Sequence, residues 1–358
     1  MKNSLWSLPR GLVLGLALVG AFSISAQGNE AWGIDLRGQA SLEGRWFSQD
    51  PLSPDQHSEN LSFSIAPEFY QDWMGGDFSL TLSPFLRLDA GDDERTHADL
   101  REAFFLYYGY AFEIRAGLRQ VFWGVAESQH LVDIINQTDQ VENPDGEDKL
   151  GQPMVELTIP SSYGTLELSL LPGFRERTFA GVEGRFGGVE VEDGTYESDA
   201  EEWRLDWAAR WSHFLGPMDF GVTHFQGTSR EPLLSGSGGP GDFKLTPYYP
   251  VIDQTGVDVQ ATLGGWLLKF EGIRRAGFGQ PGAEQTYTAV VGGFEYTLIG
   301  LGGTVYDLGL ISEVHYDDRG DNATTPFEED LFLGARLVLN DVQSTECLAG
   351  VIIDADSR

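Results

Sequence analysis

The chain contains little cysteine, few basic residues and no long apolar run in its main part. Its single cysteine, Cys347, excludes an intrachain disulfide. Lys and Arg total 23 against 55 Asp and Glu, and the resulting net charge of −32 argues against nucleic acid as a partner, because phosphate binding requires clustered cations. No stretch after residue 26 approaches the ~20 apolar residues of a membrane helix, so any membrane span there must be of another kind.

The N-terminal segment has the layout of a secretory signal peptide. Lys2 and Arg10 precede a compact apolar run over residues 11–22, and small residues follow it up to Ala26. The run is too short for a typical spanning helix, which favours a signal over an N-terminal anchor. The sequence therefore predicts export of the protein and cleavage after Ala26, so that residues 1–26 are removed.

From residue 34 onwards, apolar and polar residues alternate with period two in one segment after another. In the first of these segments, Ile34, Leu36 and Leu42 share one parity, whereas Arg37 and Glu43 lie on the other. Such alternation predicts a strand with one apolar and one polar face. We count about fifteen strands of this kind by that criterion.

The connections between these strands alternate in length. Short ones lie at 72–77, 109–111, 160–164, 215–217 and 264–265, and long ones at 47–59, 122–153, 172–201, 228–254 and 317–329. This alternation is typical of an outer-membrane barrel, whose long loops face outside and whose short turns face the periplasm.

The polar faces carry Arg, Glu and Asp at mid-strand, which suits a hydrated lumen enclosed by apolar faces that contact lipid. A closed barrel also satisfies every backbone polar group within the hydrocarbon. The sequence therefore predicts an all-β fold, a transmembrane antiparallel up-and-down β-barrel over 27–358 in the bacterial outer membrane. A soluble β-sandwich is the alternative.

The number of strands is odd, although single-chain bacterial barrels usually have an even number. The last predicted strand covers 346–354, and no amphipathic strand ending in an aromatic residue follows it. We therefore expect one or more C-terminal strands beyond this sequence, with sixteen strands in the complete barrel as the first choice and eighteen as the second.

The longest connection, 122–153, contains the clearest candidate for a functional segment. Within 124–136, the residues Val125, Leu131, Ile134 and Ile135 recur at roughly helical spacing, which predicts a short helix. An apolar stripe needs a surface to pack on, so we expect this loop to fold inward and to narrow the pore. A cap that stays at the surface is the alternative.

Arginine dominates the cations on the predicted inner face. Arg115 and Arg119 are four residues apart and share a face, and Arg101 lies on the preceding strand. Charged rings of this kind set the selectivity of pores, whereas the other interpretation is that each arginine pairs with a carboxylate and braces the wall. The predicted pore-lining and constriction residues are Arg45, Arg87, Arg101, Glu113, Arg115, Arg119, Glu127, His130, Asp133, Arg204 and Arg210.

Signatures of enzymes and of metal sites are weak. The six histidines are scattered along the chain, the acidic runs in the loops lack the calcium-loop spacing, and no G-x-S-x-G motif occurs. The sequence thus predicts no enzyme activity, no cofactor and no metal. A hydrolase built around His130 and Asp133 is a less favoured alternative, and a surface receptor or adhesin that uses the acidic loops is another.

The stretch GLRQVFWG over 117–124, which runs into a loop with Ile134, Ile135 and Asn136, resembles porin-like outer-membrane barrels, including uncharacterised members of the phosphate-selective and alginate-export type. The resemblance implies passive diffusion through a water-filled pore narrowed by an inserted segment. It also implies that Arg119, Gln120, Trp123 and Gly124 shape the pore wall.

These observations together predict an outer-membrane channel for small hydrophilic solutes, anionic ones if the arginine cluster is unpaired. Solutes would diffuse past a constriction formed by loop 124–137 and the lumen arginines. The expected partners are outer-membrane lipid, lipopolysaccharide and the solutes themselves, and the chain is expected to be a monomer or a homotrimer.

Overall fold

The computed structural model describes residues 15–26, 34–239, 242–342 and 344–355. Antiparallel strands joined in sequence order dominate it. The twenty strands are β1 (Gly15–Ala26), β2 (Ile34–Phe47), β3 (Glu59–Trp73), β4 (Phe78–Asp89), β5 (His97–Tyr108), β6 (Glu113–Arg119), β7 (Gln152–Ser161), β8 (Gly164–Pro172), β9 (Glu190–Val191), β10 (Thr195–Tyr196), β11 (Leu205–Leu215), β12 (Met218–Thr228), β13 (Leu233–Ser237), β14 (Lys244–Tyr249), β15 (Val251–Leu263), β16 (Trp266–Phe278), β17 (Gln285–Leu298), β18 (Asp307–Asp317), β19 (Asp330–Val338) and β20 (Glu346–Asp354).

Sixteen of the strands form one up-and-down sheet that runs from β1 to β20, with β9, β10, β13 and β14 outside it. Every neighbouring pair in this sheet is antiparallel, as predicted. Without β1 the sheet has 15 strands, which matches the count predicted for 27–358. The prediction of sixteen or eighteen strands concerns a longer chain and stays a prediction.

The predicted signal peptide overlaps β1, which pairs with β2 from Gly15 opposite Phe47 to Ala26 opposite Leu36. This pairing belongs to the uncleaved chain and does not test cleavage after Ala26, so the signal peptide at 1–26 stays a prediction. Residues 1–14 of that segment lie outside the described part of the chain.

The wall strands have one apolar and one polar face, as their sequences indicate. On β16, the outward side chains of Trp266, Leu268 and Phe270 are 40–44% exposed, whereas Glu271, of opposite parity, is fully buried. A polar residue buried on the inner side of an apolar outer band is the reverse of a soluble core and suits a wall that faces lipid.

The sheet curves around one segment of the chain. Residues 120–151, hereafter the inserted segment, reach Arg87 on β4 through Glu142, Glu313 on β18 through Ser128, and Arg336 on β19 through Glu127. These strands lie near opposite ends of the sheet order, so a flat sheet could not bring them to one segment. The wall therefore has the shape of a barrel whose interior holds the inserted segment.

Two of the long loops contain a second, smaller sheet. Residues 172–204 supply β9 and β10, residues 229–250 supply β13 and β14, and β14 pairs with the other three. The sequence predicted long loops here without regular structure. Strands of two to six residues are too short for alternation to reveal them.

Candidate functional site

The inserted segment leaves the wall after β6 and returns to it at β7. It contains no helix, so the prediction of a short helix within 124–136 is wrong. The prediction of an inward fold is confirmed, since Leu131, Val132, Ile134 and Ile135 are each at most 8% exposed.

Two acidic side chains of the wall bind the backbone of this segment. Glu271 on β16 and Glu313 on β18 are both fully buried and accept hydrogen bonds from backbone N–H groups of the segment. Glu271 accepts from Val125 (2.6 Å), Ala126 (2.9 Å) and Val132 (3.1 Å), and Glu313 accepts from Glu127 and Ser128 (2.8 Å each). Carboxylates bound in this way hold the segment in an irregular, non-helical path.

Gly124 adds a backbone constraint at the start of this stretch. Its φ of +144° lies in a region that residues with a side chain rarely adopt, and a Cβ there would lie 2.9 Å from Glu271 Oε1. A glycine at position 124 therefore lets the chain turn away from a helical path and approach the wall carboxylate.

The apolar residues of the inserted segment pack on the inner surface of β7 to β17. Val132, fully buried, belongs to one apolar cluster with wall residues such as Phe225, Ile252 and Val291. This cluster fills one side of the lumen. It explains the stripe seen in the sequence without a helix, because apolar burial is non-directional and does not require a regular backbone.

The far end of the segment is bound to the opposite side of the wall by charges. Arg87 on β4 donates to Glu142 at 2.6–2.9 Å and to Ser62 at 2.9 Å. Arg95, 3% exposed, donates to Glu43 at 3.2 Å and to the Glu142 carbonyl at 3.1 Å. The inserted segment thus spans the lumen from an apolar anchor to an ionic one.

The predicted lumen arginines are all ion-paired. The pairs are Arg45 with Glu43, Arg87 with Glu142, Arg101 with Asp99 and Asp139, Arg115 with Glu113, Arg119 with Glu156, Arg204 with Asp206, and Arg210 with Asp258. Arg115 and Arg119 do come together, at 3.5 and 2.8 Å from Glu156 Oε1. Arg101 instead contacts the inserted segment. The bracing interpretation of these arginines is therefore the one that their geometry favours.

The polar residues predicted on the loop also have partners. His130 Nε2 lies 3.4 Å from Glu147, and Asp133 lies 3.4 Å from Lys149 Nζ, so the structure pairs neither residue with the other as a hydrolase would require. Glu127 contacts Arg336 on β19 at 2.6 Å and Lys269 on β16 at 3.4 Å. Of the predicted loop residues, Glu127 is the one whose side chain forms ion pairs with the wall strands.

A cavity of about 750 Å³ lies on the long-loop side of the inserted segment. Its lining is strongly acidic, and its basic residues are His97, Arg175 and Arg177. The acidic lining residues are Asp92, Asp93, Glu94, Asp99, Asp139, Glu176, Glu183, Glu190, Glu192 and Asp193. Burial raises the pKa of Asp92, one of the most enclosed of these carboxyls. We call this space the acidic vestibule.

A second cavity, of about 470 Å³, lies on the short-turn side of the segment. It is lined by Trp123 and Gly124 of the segment, by Arg210 and Asp258 of the wall, and by residues near the turn at Gly164. Residues of the inserted segment therefore line both cavities, one toward the long loops and one toward the short turns.

Arg230 also binds the segment, since its Nε donates to the Ile135 carbonyl at 3.0 Å. Sequence reasoning missed the residues that anchor the segment: Glu271, Glu313, Glu142, Arg95 and Arg230. Glu271 and Glu313 have inward parity on strands that were correctly identified, so their burial could have been predicted from the sequence. Their hydrogen-bond partners could not be predicted, because no local pattern indicates which backbone amides a wall carboxylate will contact.

Among the described residues, no helix is long and apolar enough to cross a membrane. The histidines are scattered in sequence, but the fold brings His97 close to Asp139 and Glu142, a grouping that the sequence did not predict.

No protein-family model matches the chain, and no curated protein matches it. Solved structures similar to it include the outer-membrane channel DcaP of Acinetobacter baumannii (11% identity, TM-score 0.48, 92% of this chain and 93% of that one). OprB of Pseudomonas putida is also similar (12% identity, TM-score 0.42, 85% of this chain and 84% of that one). So is OmpF of Salmonella typhi (8% identity, TM-score 0.43, 95% of this chain and 88% of that one). The fold follows from the chain's own strands. The strand pairing, the apolar outer face and the segment inside the wall give it the architecture of a porin-like outer-membrane β-barrel.

Proposed function

We propose that the protein is an outer-membrane channel through which small hydrophilic solutes diffuse. One observation carries the proposal: a segment fixed at both ends crosses the inside of the barrel and separates two cavities that open toward opposite ends. A wall of this kind with a narrowed interior supports passive, size-limited passage.

The solute preference that we propose differs from the one the sequence suggested. Anion preference depended on unpaired arginines, and each arginine of the predicted constriction has a carboxylate partner. In the acidic vestibule, by contrast, Asp93, Glu94 and Glu183 have no Lys or Arg within ion-pair distance among the described residues. We therefore propose a preference for cations and for neutral polar solutes, because uncompensated carboxylates raise the local concentration of cations.

In this account the constriction is formed by the inserted segment and by the paired charges opposite it. Glu127 with Arg336 and Lys269 would line the passage on one side, and Arg115 and Arg119 with Glu156 and Glu113 would line the wall below. The paired charges keep the passage hydrated while adding little net field.

Replacing the wall arginines Arg115 and Arg119 tests whether their ion pairs balance the charge along the ion path. The double variant Arg115→Ala/Arg119→Ala should shift the reversal potential in a salt gradient toward cation selectivity, because Glu113 and Glu156 lose their counter-charges. The quadruple variant that also carries Glu113→Gln and Glu156→Gln should return to the wild-type potential. A double variant with an unchanged potential would mean that these residues lie outside the ion path.

We further propose that the chain is not an enzyme, that it resides in the outer membrane with lipid and lipopolysaccharide around its apolar band, and that it acts as a monomer or a homotrimer. A surface receptor is the second candidate function, favoured by the ordered sheet of β9, β10, β13 and β14 at the long-loop side. A receptor with a sealed lumen would pass no solute.

Liposome swelling separates the two functions. Vesicles that contain the refolded protein should swell in isotonic solutions of small neutral sugars, and the rate should fall as the sugar becomes larger. Vesicles that contain folded protein and swell no faster than empty ones would favour the receptor.

A further inference from the structure

We propose that His97, Asp139 and Glu142 form a binding site for a first-row divalent metal ion, best matched by Zn²⁺, at the floor of the acidic vestibule. One nitrogen and two carboxylate oxygens from these residues lie within 4.8 Å of one another. The inference does not depend on whether the barrel conducts, since it concerns binding alone.

The spacing of the three atoms suits a tetrahedral ion. His97 Nε2 lies 3.8 Å from Asp139 Oδ2 and 3.5 Å from Glu142 Oε1. Ligands held 2.0–2.2 Å from a tetrahedral Zn²⁺ are about 3.4 Å apart, so only small side-chain movements would be needed to bind it. An imidazole with two carboxylates is a ligand set that zinc and its neighbours accept and that Mg²⁺ does not favour.

A backbone contact orients the histidine for this role. His97 Nδ1 lies 3.1 Å from the carbonyl oxygen of Arg95, and a carbonyl can only accept, so Nδ1 carries a proton. In the neutral ring, Nε2 then carries a lone pair, which is directed at two carboxylate oxygens. Holding the non-ligating nitrogen by a carbonyl is the arrangement usual for metal-bound histidine.

Arginines compensate the charge of the two carboxylates, but no described donor reaches the lone pair of His97 Nε2. The Nε2 atom of His97 and the Oδ2 atom of Asp139 are buried and make no hydrogen bond of good geometry, and the Asp139 side chain is wholly buried. Only a metal ion or a proton on Nε2 would remove the repulsion between the lone pairs.

The neighbouring arginines hold the carboxylates and leave room for the ion. Arg87 donates to Glu142, and Arg101 Nη2 lies 2.5 Å from Asp139 Oδ2. Arg101 also pairs with Asp99, at 3.1 Å. It can therefore release Asp139 Oδ2 to the metal ion and keep its ion pair with Asp99. Thr178 Oγ1 donates to Asp139 Oδ1 at 2.5 Å and fixes the other oxygen.

The site is open to ions that arrive from the long-loop side. His97 and Asp139 line the acidic vestibule, and their side of it carries Asp92, Asp93 and Glu94. Carboxylates in a concave space concentrate divalent cations, and water would complete the coordination of the bound ion.

Titration of the refolded full chain in detergent with Zn²⁺, followed by calorimetry, tests the site. One equivalent of Zn²⁺ should bind, and His97→Ala should weaken that binding at least tenfold. Asp139→Asn should weaken it as well, while Mg²⁺ should not compete. His224→Ala is the matched control: that histidine also lies 3.5 Å from a carboxylate, Asp253, and its loss should leave the titration unchanged.

Co²⁺ gives a second measurement that does not depend on affinity. The wild-type protein with Co²⁺ should show the intense visible absorption of a four-coordinate ion, and His97→Ala should abolish it. Saturable Zn²⁺ binding that is unaffected by His97→Ala would overturn the proposal. So would a folded wild-type protein that binds no Zn²⁺, an outcome that would assign the cation between these groups to a proton on His97.

Discussion

Deleting residues 125–137 should raise the single-channel conductance several-fold. These residues occupy one side of the lumen, with Val132 fully buried in the apolar cluster and the backbone bound to Glu271 and Glu313. Removing them widens the narrowest part of the passage, and the conductance of a water-filled pore rises with its cross-section. Recordings in planar bilayers would measure the change. An unchanged conductance would contradict the proposed constriction.

Point variants make the same test without shortening the chain. Glu271→Gln/Glu313→Gln weakens the bonds to five backbone N–H groups, because a neutral amide oxygen accepts more weakly than a carboxylate. We expect a larger conductance and a noisier open state. The matched control is Glu167→Gln, an inward position on β8 with no bond to the inserted segment among the described residues, and it should behave like the wild type.

Replacing Arg230 should cause a large loss of stability. This side chain is 4% exposed and donates to the carbonyls of Ile135 (3.0 Å) and Thr228 (2.7 Å), to Asp206 (3.2 Å) and to Gln152 (3.2 Å). Arg230→Met removes a buried partner of Asp206 and the bond to the inserted segment. Breaking a buried pair on one side costs about 3–5 kcal/mol, so we expect a loss of that order in the free energy of unfolding.

Urea unfolding in detergent micelles or lipid vesicles would measure this loss. Arg204→Met is the matched control, since Arg204 also pairs with Asp206 but its side chain is 22% exposed, and it should cost at most about 1 kcal/mol. The double variant Arg230→Met/Asp206→Asn should recover part of the stability. Equal losses from Arg230→Met and Arg204→Met would show that burial of Arg230 does not matter.

The strands of the wall were largely predictable because each carries its own alternation. The last predicted strand, 346–354, coincides with Glu346–Asp354, and the strand predicted over 218–226 is Met218–Thr228. Period two is a local property of the chain, and apolar residues on the outer face with charged residues on the inner face make it strong. The alternation of long and short connections then gave the topology.

The conformation of the inserted segment could not be predicted from local sequence patterns. Leu131, Ile134 and Ile135 are all buried, as their spacing suggested, but the backbone between them is irregular and bent. Glu271 and Glu313, which hold it there, lie more than a hundred residues away in sequence. A spacing near helical period cannot distinguish a helix from an irregular chain whose amides are bound by distant carboxylates.

The arginines show a second limit. Their inward parity was predicted, but free and paired arginines have the same sequence signature, and the pairing decides the field in the pore. Arg101 was expected beside Arg115 and Arg119, yet it bonds to Asp139 of the inserted segment. The sequence alone therefore could not show whether these arginines are free or paired.

Planar-bilayer recording in a salt gradient is the most direct test of a constricted, cation-preferring channel. The full chain, refolded in detergent, should give discrete conductance steps and a reversal potential whose sign indicates cation preference. Folded protein that gives no conductance would contradict the channel itself. Conductance steps with an anion-selective reversal potential would support the channel but contradict the proposed cation preference. They would mean that the acidic vestibule does not set the selectivity although the arginines are paired.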